Sequence, residues 1–323
     1  MVDLKRAWQL TQDWQGCHVL VVGDVMLDRT TRVKPVGQSA EQGDAMVYRT
    51  LSTIEVPGGA GNAAMNLAAM GAKPTLVAAT GLNDEGGRKL NYLLAKGGVI
   101  PKLVGDATAC TTIKHRVEGE RGMLFRLDQD MAEVHGLNGI QLADAIRSQL
   151  HGTNYHGLLL SDYTKGVFST PQVREVLSQH HVPHSVLDPR RGLLARSVPV
   201  DAVTPNIKET MSIGGFHRLR FFLIPDLEVV VETRGLEGAR IYHHNTLTAT
   251  DVGTVPVAGA SVCGAGDTFA AALLLGRMAG GDWLHSTLVA NAAARAAVLN
   301  PGTYAVTAQD IRSQLEAVCA AQQ

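Results

Sequence analysis

The stretch Ser261-Val-Cys-Gly264-Ala-Gly266-Asp267-Thr-Phe carries the most information about this chain, together with the apolar run from Ala270 to Met278. Its glycines free the backbone amides of a tight turn, and the apolar run predicts a helix that begins at that turn. The amides and the positive end of the helix dipole then meet in one small volume that suits a phosphate. Asp267 would repel a passively bound anion, but it fits a base that takes a proton from an attacking hydroxyl. The alternative is a helix N-terminus at which Asp267 only complements the dipole.

The bulk composition is that of an ordinary globular protein. The chain has 323 residues, of which 45% are hydrophobic and 18% charged, and its net charge is −1. This balance gives no electrostatic reason to expect binding to nucleic acid or to a membrane surface. We expect a cytoplasmic protein, because the N-terminal segment does not resemble a signal peptide and no apolar run is long enough to cross a bilayer. The four cysteines lie far apart, which argues against a zinc site and fits a reducing compartment.

Short apolar runs alternate with helical segments along the chain. Strands are predicted at His18–Val22, Leu158–Leu160 and His184–Leu187, and a helix is predicted at Gly61–Met70. This alternation predicts a largely parallel sheet that helices cover on both faces. Functional loops then gather at the carboxyl ends of the strands. The polar residues at those ends are Asp24, Asp162, Asp188 and Asn206.

Two segments interrupt this alternation and predict a small β-flap. Residues 29–56 are polar with β-rich patches, and Thr111 to Arg126 is typical of a hairpin. We expect the two segments, about 29–57 and 109–127, to form a lid over the edge of the sheet. The alternative is two unrelated surface excursions.

A second glycine-rich site, Pro57-Gly58-Gly59-Ala60-Gly61-Asn62, lies between a predicted strand and a predicted helix. Gly59, Gly61 and Ala64, with Asp84 further on, also match the weak dinucleotide pattern G-x-G-x-x-G/A, which would indicate an NAD-dependent oxidoreductase. That pattern normally follows the first strand, whereas an earlier strand opens this sheet. It also leaves the residues from Gly264 to Asp267 unexplained. The sequence has no Walker A motif, which excludes a P-loop fold.

Together the two glycine-rich sites resemble a known family, the ribokinase/PfkB sugar kinases. Gly58 to Asn62, with Asn66, Gly71 and Gly81, is similar to the first signature of that family, and Ser261 to Leu274 is similar to the second. Thr204-Pro205-Asn206-Ile-Lys-Glu209 resembles its N-x-x-E motif. The resemblance covers nearly the whole chain. It implies an α/β fold in which residues 1–323 form a single ribokinase-like domain, a three-layer αβα sandwich with a largely parallel sheet and a small β-flap.

Within the family, three further segments look most like the D-glycero-D-manno-heptose 7-phosphate kinases. They are Gly23-Asp24-Val-Met-Leu-Asp28, Ser161-Asp162-Tyr163-Thr-Lys165-Gly166 and Arg126-Leu-Asp128. The resemblance implies transfer of the γ-phosphate of ATP to the anomeric hydroxyl, giving heptose 1,7-bisphosphate. Such kinases are often fused to a nucleotidyltransferase. Because this chain ends after the kinase portion, a separate nucleotidyltransferase is expected.

The resemblance also implies the roles of individual residues. Asp267 would be the general base, and the amides of Gly264, Ala265 and Gly266 would form the anion hole. Asn206 and Glu209 would hold Mg²⁺. The residues expected to contact the sugar are Asp24, Asp28, Gly58, Gly59, Asn62 and Asp162, with Lys165 and Arg126 on its distal phosphate. The residues expected to bind the nucleotide are Asn206, Thr233, Arg234, Gly235, Gly238, Gly264, Gly266 and Asn291.

Several of these residues have a structural alternative. Asp24 could simply end a strand, Asp162 could form an Asx-turn, and Asn206 could be a turn residue. Lys165 and Arg126 could be solvated charges. Family members often dimerise through their flaps, and apolar flap residues such as Ile54 and Val56 allow a homodimer here.

The sequence departs from the heptose kinases at three places. The flap segment from Arg32 to Glu41 is recast, Ser261 replaces the aspartate that usually opens the second signature, and the interval 207–232 is short. Activation by a monovalent cation is therefore open. Two alternatives also remain open: a kinase of another sugar, such as fructose, ribose or tagatose 6-phosphate, and a catalytically weak homologue that binds sugar or nucleotide.

Overall fold

The structure is a computed structural model of the chain. It describes residues 4–107, 109–130, 139–190, 198–212, 214–215, 226–246, 248–257, 263–300 and 302–321. Ser261 and most of the segment 214–222, which does not resemble the family, lie outside these residues. Within the described part of the chain, no helix is long and apolar enough to cross a bilayer.

A nine-stranded sheet forms the centre of the molecule. Its strands are β1 (His18–Gly23), β4 (Lys73–Gly81), β5 (Ile100–Asp106), β8 (Gly157–Asp162), β9 (Ser185–Pro189), β10 (Ala202–Val203), β11 (Val229–Thr233), β12 (Ala239–His243) and β13 (Ala249–Val252). They lie in the order β13-β12-β11-β10-β9-β8-β1-β4-β5. The strands from β11 to β5 pair in parallel, and β12 and β13 add antiparallel pairs at one edge. The predicted α/β architecture with a largely parallel sheet is therefore confirmed.

Helices cover both faces of this sheet. Alternate residues of β1 show the layering, because Val19 and Val21 join one buried apolar cluster while Leu20 and Val22 join the other. A strand buried on both faces has no polar side, which is why the run is continuously apolar. The helices are α1 (Leu4–Asp13), α2 (Ala60–Ala69), α3 (Glu85–Lys96), α4 (Gly139–Gly152), α5 (Pro171–Ser178), α6 (Ile207–Ser212), α7 (Ala265–Met278), α8 (Trp283–Leu299) and α9 (Ala308–Ala321).

The two segments predicted to form a flap build one separate sheet. It contains β2 (Val25–Gln38), β3 (Met46–Gly59), β6 (Ile113–Gly119) and β7 (Gly122–Gln129), in the order β3-β2-β6-β7. Only Asp24 separates β2 from β1, and β3 runs directly into α2. The flap is thus joined to the carboxyl edge of the central sheet at both ends of its first hairpin. Its role as a lid, and the single domain over 1–323, stay predictions.

Two helix N-termini form as the sequence indicates. Asp282 caps α8, since its Oδ1 accepts the amide of His285 at 2.8 Å. Thr307 and Asp310 form a capping box at α9, in which each backbone amide donates to the side chain of the other residue. These side chains satisfy amides that the first turn of a helix leaves without an intrahelical partner.

Asp84 joins the central fold to the flap. Its Oδ1 accepts the amide of Gly87 at the start of α3 and the hydroxyl of Thr111, and its Oδ2 accepts the amide of Thr111. Thr111 precedes β6, so one carboxylate fixes both the helix start and the entry into the flap. Burial raises the pKa of Asp84, but these hydrogen bonds outweigh it and hold the pKa below its ordinary value.

We predict that Asp84→Ala lowers the free energy of unfolding by about 2 kcal/mol at pH 7, because it removes a cap and leaves amides unpaired. A carboxyl with a lowered pKa stabilises the fold above its unfolded pKa of about 3.9, and that stability is lost as the pH falls further. The difference from the parent protein should therefore shrink below about pH 4. Urea unfolding at pH 7 and pH 3.5 measures both, with Asp44→Ala, on an exposed turn, as the control. An unchanged difference at the two pH values would contradict the prediction.

Candidate active site

Asp267 lies in the first turn of α7, at the point where that helix meets α2. Gly264 precedes the helix with a left-handed φ of 78°, and a Cβ there would lie 2.7 Å from the Asn62 amide nitrogen. A Cβ at Gly266 would meet nothing within 4 Å, so space is open beside this turn. The Asp267 side chain is 2% exposed. A buried carboxylate thus lies beside amides that have no intrahelical partner.

The first signature holds one oxygen of this carboxylate. The Asn62 amide nitrogen donates to Asp267 Oδ2 at 2.8 Å and, at 3.3 Å, to the Gly264 carbonyl. Asn66 lies one turn later on α2, and its amide nitrogen donates to the side-chain oxygen of Asn62. The Asn66 oxygen in turn accepts the backbone amide of Val306. The two glycine-rich segments, about 200 residues apart in the sequence, therefore meet at the Asn62 side chain.

The other oxygen of Asp267 is held by a residue that the sequence analysis did not assign. Tyr163 follows β8, and its hydroxyl donates to Asp267 Oδ1 at 2.7 Å. The Arg190 guanidinium donates to the Tyr163 oxygen at 2.8 Å and stacks 4.5 Å from the ring centroid. Lys114 of β6 places its ammonium 5.3 Å from the same centroid.

A second buried carboxylate lies near the first. Asp188, at the end of β9, is 7% exposed and accepts the hydroxyl of Thr204 at 3.0 Å. Burial and the charge of Asp267 raise the pKa of Asp188. Burial likewise raises the pKa of Asp267, although hydrogen bonds from Asn62 and Tyr163 and the charge of Arg190 oppose it. Both carboxylates therefore take up a proton more readily than solvated aspartates do.

Asp24 has a structural role in this geometry. Its carboxylate accepts the amides of Tyr163, Lys165 and Val167, so it organises the loop after β8. Asp162 accepts the amide of Thr164 at 2.9 Å, which is the contact of an Asx-turn. The alternatives stated for both residues are thus present, and their contact with a sugar stays a prediction.

Asp28 lies on β2, at the base of the flap. Its Oδ1 accepts from Arg116 of β6 at 2.9 Å, and a Cβ at Gly58 would lie 2.3 Å from its Oδ2. Arg116 also reaches within 3.9 Å of the sulfur of Cys263, which precedes the turn at Gly264. Gly58 is therefore required by the close approach of Asp28, and the flap carries a cation toward the turn before α7.

The two cations expected on a distal phosphate are both ion-paired. The Lys165 Nζ lies 2.6 Å from Asp130, and the Arg126 Nε lies 2.8 Å from Asp128. Lys165 shares its loop with Tyr163, whereas Arg126 lies on β7, opposite Arg116 in the flap sheet. Lys165 thus belongs to the loop whose Tyr163 contacts Asp267. Arg126 belongs to the flap.

Asn206 and Glu209 meet at the start of α6. The amide of Asn206 donates to Glu209 Oε2 at 2.8 Å, and the amide of Glu209 donates to Asn206 Oδ1 at 3.0 Å. Each oxygen keeps a lone pair, and oxygen is the ligand that Mg²⁺ prefers. Among the described residues, no group of three acidic, histidine or cysteine side chains could enclose a metal ion. Mg²⁺ keeps several waters and binds substrate phosphates, so the pair still fits it.

Five of the residues expected to bind a nucleotide lie at the end of β11, just after it, or on α8. Thr233 donates its amide to the Pro205 carbonyl, Gly235 begins a short 3₁₀ turn, and Gly238 follows that turn. A Cβ at Gly238 would lie 3.1 Å from the amide nitrogen of Asn291, which donates to Val252. The structure brings Gly238 and Asn291 together.

Arg234, which follows Thr233, already has partners. Its guanidinium donates to Glu232 at 2.8 Å and to the hydroxyl of Tyr242 at 3.0 Å. Its expected contact with a nucleotide would require this ion pair to open.

The dinucleotide pattern from Gly59 to Ala64 has another explanation. The strand before it, β3, belongs to the flap rather than to the central sheet. Gly59 has a φ of 60°, and a Cβ there would lie 2.5 Å from the Asp24 carbonyl. Asp84, which would bind a ribose in that interpretation, is the cap of α3. The oxidoreductase alternative therefore has no structural support at these residues.

Several residues that face this site were not predicted from the sequence. Tyr163 lies within the segment Ser161–Gly166, and Arg190 follows the strand-end pair Asp188-Pro189, so the position of each was a signal. Lys114 and Arg116 alternate on β6 and thus share one face of the flap. Nothing local in the sequence indicated which face that would be.

Comparison with known proteins agrees with this geometry. The sequence profile of the family described as pfkB family carbohydrate kinase matches residues 18–310. The D-beta-D-heptose 7-phosphate kinase of Bordetella bronchiseptica is 33% identical over 314 residues, which are 92% of this chain and 96% of that protein. The bifunctional protein HldE of Bradyrhizobium diazoefficiens is 31% identical over 321 residues, which are 95% of this chain and 64% of that protein. The chain thus spans just under two thirds of the bifunctional relative.

Solved structures show the same fold. The potassium complex of phosphofructokinase-2 from Escherichia coli has a TM-score of 0.72 at 21% identity, over 94% of this chain and 99% of that one. A carbohydrate kinase from Agrobacterium tumefaciens has a TM-score of 0.69 at 17% identity, over 93% and 97% of the two chains. The predicted ribokinase-like fold is confirmed. The chain belongs to the pfkB family of carbohydrate kinases, and it is a sugar phosphotransferase.

Proposed function

We propose that this kinase transfers the γ-phosphate of ATP to a hydroxyl of a phosphorylated sugar, with the anomeric hydroxyl of D-glycero-D-manno-heptose 7-phosphate as the first candidate. The contact between Asp267 and Asn62 carries the proposal, because it holds a buried carboxylate beside the helix N-terminus of α7. The name of the Bordetella relative supports the choice of sugar. Fructose, ribose and tagatose 6-phosphate are the alternatives to be tested.

In the proposed reaction Asp267 takes the proton of the attacking hydroxyl. The hydroxyl oxygen forms a bond to the γ-phosphorus, the bond from that phosphorus to the β–γ bridging oxygen breaks, and ADP leaves with those electrons. Burial raises the pKa of Asp267, which makes it a better proton acceptor than a solvated carboxylate. In the proposed reaction the amides from Gly264 to Gly266 stabilise the charge that develops on the phosphoryl oxygens, and as backbone groups at a helix N-terminus they need little reorganisation.

Asn206 and Glu209 would hold Mg²⁺, directly or through water. When bound, the ion would supply positive charge to the phosphate oxygens of the nucleotide. The two residues lie at the carboxyl edge of the sheet, as do Asp188 and Arg190. The Arg190 Nη1 is 3.9 Å from Glu209 Oε1, which links this pair to the contacts of Asp267.

The cations around the site support a phosphorylated acceptor. Lys165, Arg126, Lys114 and Arg116 come from the loop after β8 and from two flap strands, and an unphosphorylated sugar would not require them. Lys165 is the strongest candidate, because its backbone amide is already bonded to Asp24 beside Tyr163. The side chains of its ion pair with Asp130 are 23% and 48% exposed, so solvent weakens the pair and a phosphate could replace Asp130 at modest cost.

The flap also supports a homodimer. Its strands expose apolar side chains that a monomer would leave in water. They include Phe125 and Leu127, which alternate along β7 and share one face of the sheet. A second copy packed on that face would cover them. Ile54 is exposed on the other face, in register with Thr30 and Arg116.

A coupled ADP-release assay over heptose 7-phosphate and the alternative sugars tests the proposed substrate. We expect the heptose phosphate to give the highest kcat/KM. Asp267→Asn should lower kcat by about 10²–10⁴-fold, the usual contribution of a general base, while calorimetry shows ATP binding largely unchanged.

The control is Asp144→Asn, whose side chain is 60% exposed on α4 and which should leave kcat unchanged. An Asp267→Asn enzyme that keeps most of its activity would show that the base is another residue. If an unphosphorylated sugar gives the highest kcat/KM, the acceptor is not a phosphorylated sugar and the proposed substrate class is wrong.

A second prediction concerns the distal phosphate. Lys165→Ala should raise KM about 10- to 100-fold for a phosphorylated sugar, since it removes a charge-assisted hydrogen bond. The change for an unphosphorylated sugar should be below about threefold. Lys73→Ala, exposed at the opposite end of the sheet, is the matched control. Equal effects on both kinds of sugar would remove Lys165 from the phosphate site.

A further inference from the structure

Of the two described side chains that donate a hydrogen bond to the Asp267 carboxylate, Tyr163 is the one that lies outside both signatures. Asp267 is held at both oxygens, at 2.8 Å by Asn62 and at 2.7 Å by the Tyr163 hydroxyl. Two contacts at different oxygens fix the rotation of the carboxyl group about its last bond. The remaining lone pairs of Asp267 then point in set directions.

The direction of the proton in the Tyr163 contact follows from Arg190. A guanidinium can only donate, so the Tyr163 oxygen must accept the bond from Arg190 at 2.8 Å. The single phenolic proton is then left for Asp267. Burial raises the pKa of Tyr163 well above its ordinary value, so the phenol keeps this proton throughout the range of an enzyme assay.

The same logic applies on the other side of the carboxylate. The Asn66 oxygen accepts the amide of Val306, so its nitrogen must donate to the oxygen of Asn62. The Asn62 nitrogen is then the group that faces Asp267. Both chains of hydrogen bonds end in a donor that faces Asp267. Neither chain presents an acceptor to which a protonated Asp267 could donate. The arrangement is complementary to the ionised carboxylate.

The charges facing Asp267 are of both signs. Asp28 of β2 and Asp188 of β9 face it as carboxylates, and Arg190 faces it from beyond β9. Lys114 of β6 lies over the Tyr163 ring rather than against the carboxylate. Burial and the two carboxylates favour the protonated acid, whereas the donors and Arg190 favour the anion. The hydrogen bond that Tyr163 donates to Oδ1 therefore affects the fraction of Asp267 that is ionised.

We propose that Tyr163 is a positioning residue, which Arg190 orients so that its hydroxyl keeps Asp267 ionised and turned toward the sugar hydroxyl. The inference rests on the proposed function, in which Asp267 is the base. Tyr163 itself neither gains nor loses a proton in the reaction. The sugar proton goes to a lone pair of Asp267 that the contacts with Tyr163 and Asn62 leave open.

The test is Tyr163→Phe, which keeps the ring that stacks on Arg190 and removes only the hydroxyl. We expect kcat at pH 7 to fall about 10- to 100-fold, with KM for ATP and for the sugar nearly unchanged. A donor hydrogen bond stabilises the charged form, so its loss raises the pKa of Asp267. The acidic limb of the profile of kcat against pH should move to higher pH, and the defect should shrink as the pH rises. Tyr92→Phe, exposed on α3, is the matched control.

A second replacement protects the test against a variant that fails to fold. Site-specific 3-fluorotyrosine at position 163 keeps the size of the residue and makes the phenol a stronger donor. It should move the acidic limb to lower pH, opposite to Tyr163→Phe. In the double variant Tyr163→Phe with Arg190→Leu, the fold-loss of kcat should be smaller than the product of the two single fold-losses, because Arg190 acts through the phenol.

Three results would overturn the proposal. An unchanged pH profile in both position-163 variants would show that the hydroxyl does not act on the base. A rise in KM for the sugar at constant kcat would make Tyr163 a sugar contact instead. Full additivity of the two losses would separate Arg190 from Tyr163. If Asp267→Asn remains active, the proposed function fails first; if it is inactive and Tyr163→Phe behaves as the parent enzyme, only this inference fails.

Discussion

The contact between Asp267 and Asn62 is the constraint on which the rest of the structure depends. It requires two helices, α2 and α7, to approach closely at their N-termini, and both are rich in alanine where they pack. It also requires Gly264, because a Cβ there would collide with the Asn62 side chain. Each helix begins at the carboxyl edge of the central sheet, so the site lies where parallel α/β folds usually place one. The packing of small residues between α2 and α7 therefore determines where the Asp267 carboxylate lies at this edge of the sheet.

Much of the fold could be predicted from the sequence because its signals are local. Short continuous apolar runs, Val19–Val22 and Leu158–Leu160, come just before Gly23-Asp24 and Ser161-Asp162, and strands buried on both faces have that pattern. The two glycine-rich turns identified Asn62 and Asp267, although their contact joins residues 205 apart in the sequence. The resemblance to sugar kinases supplied that long-range information, which composition and periodicity do not contain.

The parts of the site that could not be predicted depend on pairing between distant strands. Lys114 and Arg116 reach the site only because β6 lies beside β2 in the flap, and no local pattern sets that order. The sequence also does not indicate the partners of long charged side chains: Arg234, whose contact with a nucleotide stays a prediction, forms an ion pair with Glu232. Asp84 is another example, since the residue that the dinucleotide alternative would place at a ribose caps a helix and anchors the flap.

The charges of the site are divided between the two sheets, and this division has a consequence for catalysis. Asp188 and Asp267 come from the central sheet and its helices, whereas Lys114 and Arg116 come from the flap. Buried carboxylates of like charge raise one another's pKa, so Asp188 and Asp267 each favour the protonated acid. Two donors and one cation of the central fold oppose this at Asp267, whereas the flap adds a further carboxylate, Asp28, that favours the acid. The ionised state of Asp267 therefore depends on groups of the central fold, and the flap carboxylate shifts the balance the other way.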